Sequence, residues 1–555
     1  MFHQQALRRL SRSAADETFL NPILPGFNPD PSIIRVKKDY FLTTSSFEYT
    51  PGAPIYHSTD LIQWTLIGHA LTRKSQLDIK APEPGGGVWA CTLRYHSGWF
   101  YLTTCVWDRY RPQDSHERAW PRGFYVKTMD IWNSDSWTDP VYFDQPGFDQ
   151  DLFWDEDGKV YLSTTYQKVN RDPESKLKDQ AVHICIIDLE TGNSTSKSTL
   201  IRESHVGSGV AEGSHIFKKG KYYYLFTAEG GTESGHSECC LRSEKSPLGP
   251  WEECPSNPLV HNSTEHEVQN TGHCDFVEDT EGNWWAVCLA VRPTNTGSGW
   301  ATSVFGRESF LVPVLWSDDG WPELNFGRPI SLLTIAPARG MYMYDQPTKW
   351  SEKFTSPKLQ LGWYNKNTAV KPESECSLTA RPGYLRMYGG PYRLSSPNSP
   401  TALFRKQLHR QGVWRTRLAF GPDSPGSEAG TAVYWNYFTW SSIGVRRAPS
   451  GARQIVLTPS EGEVASADLE TDDAEVILAI ECQESKYRFG FQEMTKAVKK
   501  SSENNFQWLG ERSTESMTQD PPIGLPFTGM MFCLYTFAEM QRSLAPADYT
   551  YAEFM

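Results

Sequence analysis

One motif recurs five times along the first 335 residues and limits the fold more than any other feature. A turn signal is followed by an aromatic residue and then Leu or Ala inside a short β-like run. The instances are Tyr40-Phe41-Leu42, Phe100-Tyr101-Leu102, Val160-Tyr161-Leu162, Tyr223-Tyr224-Leu225 and Trp284-Trp285-Ala286. Each follows a hairpin-type turn: Lys38-Asp39, Ser97-Gly98, Asp157-Gly158, Lys219-Gly220 or Glu281-Gly282-Asn283. The anchors Phe41, Tyr101, Tyr161, Tyr224 and Trp285 fall roughly 60 residues apart. Five near-equal units of short strands predict an all-β, five-bladed propeller, each blade a four-stranded antiparallel sheet.

The same register locates candidate functional residues. Counting back twelve residues from four of the anchors reaches Trp89, Asp149, Glu212 and His273. Counting back eleven from Phe41 reaches Asp30. First-strand positions of a propeller face one central funnel, so three carboxylates, an imidazole and an indole are predicted to converge there. Unpaired buried charge is costly, which makes such a set poor structural filler. Asp30 lies between Pro29 and Pro31, in a stiff, non-helical setting that would equally suit a solvated turn.

Two carboxylates across a pocket, one ionised and one protonated, are the usual equipment for cleaving a glycosidic bond. The acid needs a raised pKa, and a third carboxylate nearby raises it by like-charge repulsion. Clustered Asp and Glu also suit a hard cation.

Phe27-Asn28-Pro29-Asp30-Pro31-Ser32, Phe148-Asp149-Gln150-Asp151-Leu152-Phe153 and Glu212-Gly213-Ser214-His215 resemble the three acidic motifs of glycoside hydrolase family 43. Further matching pieces are Gly87-Val88-Trp89-Ala90, Ala228-Glu229-Gly230-Gly231-Thr232, Gly272-His273 and Gly306-Arg307-Glu308. The similarity runs from about residue 21 to the C-terminus. It implies that Asp30 is a general base activating water, Glu212 the general acid, and Asp149 the residue that raises and orients Glu212. Asp151 is a rival for that third role, which the register gives to Asp149. The family inverts anomeric configuration, so Asp30 and Glu212 are expected about 6.5–9.5 Å apart. The resemblance also implies an apolar wall of Phe47 and Trp89 and polar substrate contacts from Thr232 and Arg307. The alternative for Arg307 is an ion pair with Glu308; Arg292 is a weaker candidate. His273 resembles a histidine associated in some members with a central calcium ion held mainly by water. No cofactor is expected to be required, and a structural or activating calcium is left open.

The segments expected are a flexible stretch over 1–20, a propeller over 21–335, a linker over 336–349 and a second domain over 350–555. In the last, two-faced alternation is carried by Trp414, Thr416, Leu418 and Phe420, by Val476, Leu478 and Ile480, and by Met530, Phe532 and Leu534. A β-sandwich answers that pattern, and this half is similar to the concanavalin-like domain of family 43 β-xylosidases. By that resemblance Phe527 reaches over the pocket mouth, favouring release of single sugars from chain ends.

The expected activity is therefore an inverting exo-glycosidase on terminal β-1,4-xylosyl residues of xylo-oligosaccharides. An α-L-arabinofuranosidase is the nearest alternative, and a non-catalytic carbohydrate-binding protein a more distant one. Retaining fructosidases, mimicked by Arg171-Asp172-Pro173 and Glu253-Cys254, lack support because Asp172 lies off the axial register. A net charge of −12 argues against nucleic acid or anionic membrane as partners. Eleven scattered cysteines without a CxxC pair suggest neither a zinc ribbon nor a disulfide framework. No signal peptide is read at the N-terminus, so a cytoplasmic location is expected, with secretion and homo-oligomerisation left open.

Overall fold

The computed structural model describes residues 18–80, 83–108, 120–172, 174–295, 300–335, 348–471, 475–494 and 505–555. Five four-stranded antiparallel sheets follow one another along the chain. Their innermost strands are Ser32–Val36, Gly87–His96, Phe148–Trp154, Ala211–Lys219 and Gln269–Glu278, and each is hydrogen-bonded to the strand carrying the aromatic anchor. These five strands touch in a closed ring, first against second and fifth against first. The anchors are all buried, wedged between neighbouring blades. Burying side chains of that size stabilises the fold by roughly 1.5–3 kcal/mol each.

Closure is made by the ends of the propeller. Thr18–Leu20, expected to belong to a flexible segment, instead form a strand antiparallel to Leu333–Ile335. Asn21 locks this seam by donating to the Leu311 carbonyl and accepting from the Leu311 amide, both at 2.9 Å. Most of the expected linker, residues 336–347, lies outside the described residues.

The second half is a sandwich of two antiparallel sheets. One sheet contains Ala402–Lys406, Met531–Ala538, Ser427–Asn436, Thr439–Arg447, Arg453–Pro459 and Ala465–Asp468. The other is built around Gly412–Ala419, Val476–Cys482, Lys486–Glu493 and Pro546–Phe554. Trp414, Leu418, Leu478, Ile480, Phe532 and Leu534 meet between them, as the alternation requires. The opposite face of the first sheet is not free. Tyr434, Cys533, Tyr535 and Phe404 pack against Phe27, Phe47 and Tyr49 of the propeller. Asn365–Lys366 pairs with Tyr49–Thr50 across the seam, and Lys406 donates to Asn28 at 2.8 Å.

Candidate active site

A pocket of about 50 Å³ opens on the propeller axis, lined by Asp30, Phe47, Trp89, Ala90, Phe148, Asp149, Glu212, Thr232, His236, His273, Arg307 and Phe527. All nine residues expected at the site are among them. The backbone explains the convergence. Asp30, Ala90, Asp149, Gly213 and His273 have left-handed backbones, with φ between 33° and 57°. In blades 2 to 5 the ladder slips at this level. Such a bulge turns consecutive residues toward the same side.

The twelve-residue spacing mixes two positions. Opposite the anchors stand Ile34, Arg94, Phe153, Phe217 and Val277, and the left-handed residue is always four positions earlier. Asp30, Asp149 and His273 occupy that position. Trp89 and Glu212 precede it by one, with Ala90 and Gly213 in the left-handed place. The hairpins of blades 1, 2 and 4 turn in two residues and those of blades 3 and 5 in five, which displaces the count. Eleven is thus the regular spacing for Asp30, because its turn is short. Both positions reach the pocket because the bulge exposes two successive residues to the axis.

Asp30 is buried and well held. Its Oδ2 accepts from Ser45 Oγ at 2.6 Å, and its Oδ1 accepts from Arg307 Nη1 at 3.2 Å. Asp149 accepts from the Gly213 amide at 2.8 Å, pinning the backbone next to Glu212. Burial pushes the Glu212 carboxyl up to about 7, opposed by Lys178 and reinforced by Glu233 and Asp30. Asp149 is raised well above the usual carboxylate range, by burial first and then by Glu212 and Asp30. Burial also lowers His273 and His236 to about 4, so both rings are neutral near pH 7.

Arg307 ties the pocket together. It donates to Thr232 Oγ1 at 3.1 Å and to the Phe527 carbonyl at 3.3 Å, and lies over the Phe527 ring at 4.5 Å. Its buried Nη2 has no partner among the described residues, leaving a donor for a ligand hydroxyl. The alternative pairing with Glu308 does not occur. Arg292 takes both oxygens of Glu308 at 2.6 and 2.7 Å, so Arg292 is a structural residue outside the pocket.

Aromatic rings form the remaining wall. Phe527, from the sandwich, stands 5.7 Å from Phe47 and 5.5 Å from Trp89, ring centre to ring centre. Trp89 is fixed by stacking on Trp107 at 4.5 Å and by donating to the Gly85 carbonyl at 2.7 Å.

Sequence reasoning missed Phe148 and His236. Phe148 precedes Asp149 at the same bulge. His236 bonds the Asn270 carbonyl through Nδ1 at 2.9 Å, which places the proton there and leaves Nε2 an acceptor. It fits only because position 272 is glycine, where a Cβ would lie 2.9 Å from its ring. The signal for it was the Gly-rich turn Gly230-Gly231-Thr232, four residues before it.

Below the catalytic level, Asp151 belongs to a separate layer. Arg94 donates to Asp151 at 2.8 Å and to Asp275 at 2.8 Å, and Ser32 donates to Asp275 at 2.7 Å. Arg94 Nη2 and His215 Nδ1 stand 2.8 Å apart. One guanidinium therefore bridges the inner strands of all five blades. Asp151 and Asp275 share this one guanidinium, and Asp151 Oδ1 has no hydrogen-bond partner among the described residues, so the axis below His273 keeps negative charge and one open oxygen. Among the described residues, no cluster of three or more His, Cys, Asp or Glu side chains is arranged to hold a metal.

Comparison with known proteins agrees with this architecture. Residues 19–322 match the model for "Glycosyl hydrolases family 43", and residues 351–555 match "Beta xylosidase C-terminal Concanavalin A-like domain". The chain is 33% identical over 549 residues to a non-reducing end alpha-L-arabinofuranosidase of Bacteroides ovatus, covering 98% of this chain and 96% of that protein. It is 32% identical to a xylan 1,3-beta-xylosidase of a Vibrio species, covering 97% and 99%. The solved structure of xylan beta-1,4-xylosidase from Bacillus halodurans superposes with a TM-score of 0.84 at 29% identity, covering 97% and 99%. The chain is a glycoside hydrolase of family 43, a five-bladed β-propeller with a C-terminal concanavalin-like β-sandwich.

Proposed function

We propose that this enzyme removes terminal β-xylosyl residues from xylo-oligosaccharides with inversion, and hydrolyses α-L-arabinofuranosides as a second activity. One observation carries the reading: three carboxylates, Asp30 and Asp149 buried and Glu212 half-buried, share a one-sugar pocket whose aromatic wall is completed by Phe527 of the sandwich. A pocket closed over a single ring admits a chain end and excludes a chain interior.

In this mechanism Glu212, protonated near neutral pH, gives its proton to the glycosidic oxygen as the C–O bond breaks. Asp30 takes a proton from a water whose oxygen bonds the anomeric carbon from the opposite face. The sugar leaves with inverted configuration, and solvent returns the proton from Asp30 to Glu212. Ser45 and Arg307 aim the base. Asp149 acts mainly by position, holding the backbone beside the acid, because burial is the larger cause of Glu212's elevation. The free Nη2 of Arg307, Thr232 and His236 Nε2 supply hydrogen bonds to sugar hydroxyls. No step of this mechanism is routed through a metal.

The test is a side-by-side rate comparison on aryl β-xyloside and aryl α-arabinofuranoside. Hydrolysis of either at the pocket should vanish in Glu212→Gln, which removes the transferable proton and little volume. Full activity of that variant on both would overturn the assignment of the acid.

A further inference from the structure

The outer face of the first sandwich sheet carries a second hollow that shares no residue with the catalytic pocket. Its floor follows from strand pairing. Residues opposite one another in an antiparallel sheet share a face, and the rows here are Phe537–Glu428–Arg446, Tyr535–Gly430–Gly444 and Ala432–Ser442–Thr458. Two glycines side by side in the middle row leave a depression where neighbouring side chains would otherwise meet. At Gly444 a Cβ would stand 2.5 Å from Tyr535 Oη and 3.2 Å from Glu428 Oε1, so glycine lets that pair lie across the floor. The loops bearing Arg393–Leu394 and Pro425–Gly426 complete the walls. The resulting cavity measures about 70 Å³, against about 50 Å³ for the catalytic pocket.

Its lining is polar in the manner of a ligand site. Glu428 is buried, and one of its oxygens accepts from Tyr535 at 2.6 Å. Trp440 is 7% exposed, yet its Nε1 has no hydrogen-bond partner among the described residues, and neither has Thr458 Oγ1. Two unsatisfied buried groups on residues that line one cavity point to an occupant that carries hydroxyls. Charge narrows the class. Arg393 pairs with Glu539 at 2.7 Å and Arg446 pairs with Glu463, so both guanidiniums of the lining are already matched from outside it and Glu428 is the one carboxylate within. That balance disfavours an anion. The rings of Trp440, Tyr535 and Phe537 beside Glu428, Ser442 and Thr458 combine apolar faces with placed acceptors and donors.

We propose that this hollow is a non-catalytic site for one neutral sugar unit. That the unit is a pentose of the substrate's own class rests on the function proposed above. Bound there, an oligosaccharide would raise the local concentration of chain ends at the same molecule.

The experiment is calorimetric titration of Glu212→Gln, which does not consume its ligand, with xylobiose. Two equivalents per chain are expected, falling to one when Glu428→Gln and Thr458→Val are added, while those two substitutions alone leave the aryl xyloside rate unchanged. A single equivalent lost with Glu428→Gln and Thr458→Val would support this site and count against the proposed pocket ligand. A single equivalent that survives them, or two that both survive, would overturn the proposal. Should Glu428→Gln melt early, Thr458→Val alone decides, because it exchanges a hydroxyl for a methyl of the same shape.

Discussion

Arg307 donates to Asp30 across the propeller at 3.2 Å, while its immediate chain neighbour Glu308 is held by Arg292 at 2.6 Å. Two adjacent charged residues thus serve different ends. Arg307→Met should lower kcat/KM about 100- to 1,000-fold with little change in Tm, because it disconnects the base, Thr232 and the Phe527 loop. Arg292→Met should do the reverse. It strands the fully buried Glu308 and is expected to cost about 3–5 kcal/mol of stability while the rate per folded molecule holds. Denaturant melts and steady-state kinetics on both variants check the contrast.

The elevation of Glu212 to about 7 sets the alkaline limb of the pH profile. Activity needs the protonated acid, so kcat/KM should fall as pH rises through about 7. The same shift has a stability cost of the opposite sense. A carboxyl bound more tightly to its proton in the fold than in the unfolded chain loses stability between about pH 4 and 7, up to an order of 3 kcal/mol. Glu212→Gln should therefore be more stable than the parent above pH 7 and indistinguishable near pH 4. Melting temperatures at the two pH values decide this.

With Asp30 activating water rather than bonding to the sugar, the first product formed has the opposite anomeric configuration. Proton NMR of early hydrolysis of an aryl β-xyloside should show the α-anomer before mutarotation. Initial β-anomer would make Asp30 a nucleophile.

Phe527→Ala removes a ring that touches Phe47, Trp89 and Arg307 at once. The expected result is a KM raised about tenfold with a smaller loss in kcat, as an apolar wall contributes mostly to binding. A kcat-only effect would place Phe527 in the chemistry instead.

Chelation should leave both rate and Tm unchanged, because the proposed chemistry is carried by the three carboxylates and Arg94 is the cation that Asp151 and Asp275 share. Burial pushes the Asp275 carboxyl up, but Arg94 and His215 overcome it and hold it well below the usual carboxylate range. That contribution is present above about pH 4 and is lost as the medium becomes more acid. Arg94→Met should cost about 3–5 kcal/mol at neutral pH by stranding two carboxylates, and less in acid. Activity that disappeared on chelation and returned with calcium would refute the metal-independent reading.

Much of the site was legible because its signals are local. Asp30, Asp149, Glu212, His273 and Trp89 each sit at a near-constant distance from an aromatic anchor, and that regularity survives in a single chain. His236 was not legible in this way, since the Gly-rich turn before it marks a loop without saying which of its side chains turns inward. Its place depends on Gly272, which lies in the next blade. Nor was the offset between Asp149 and Glu212 legible, because a turn of two residues and one of five leave similar patterns of alternation.

By itself the sequence determined the number of blades, the strands that carry the acids and the two-sheet character of the C-terminal half. Repetition and alternation are written every few residues, and each strand answers its own pattern. Tertiary structure decided the rest. The bulge determined which of two successive residues turns inward, and strand order brought Arg307 to Asp30 over 277 positions of chain. The sandwich supplied Phe527 to a pocket made by the other domain. Such contacts follow from how finished sheets stack, and no period of a few residues encodes them.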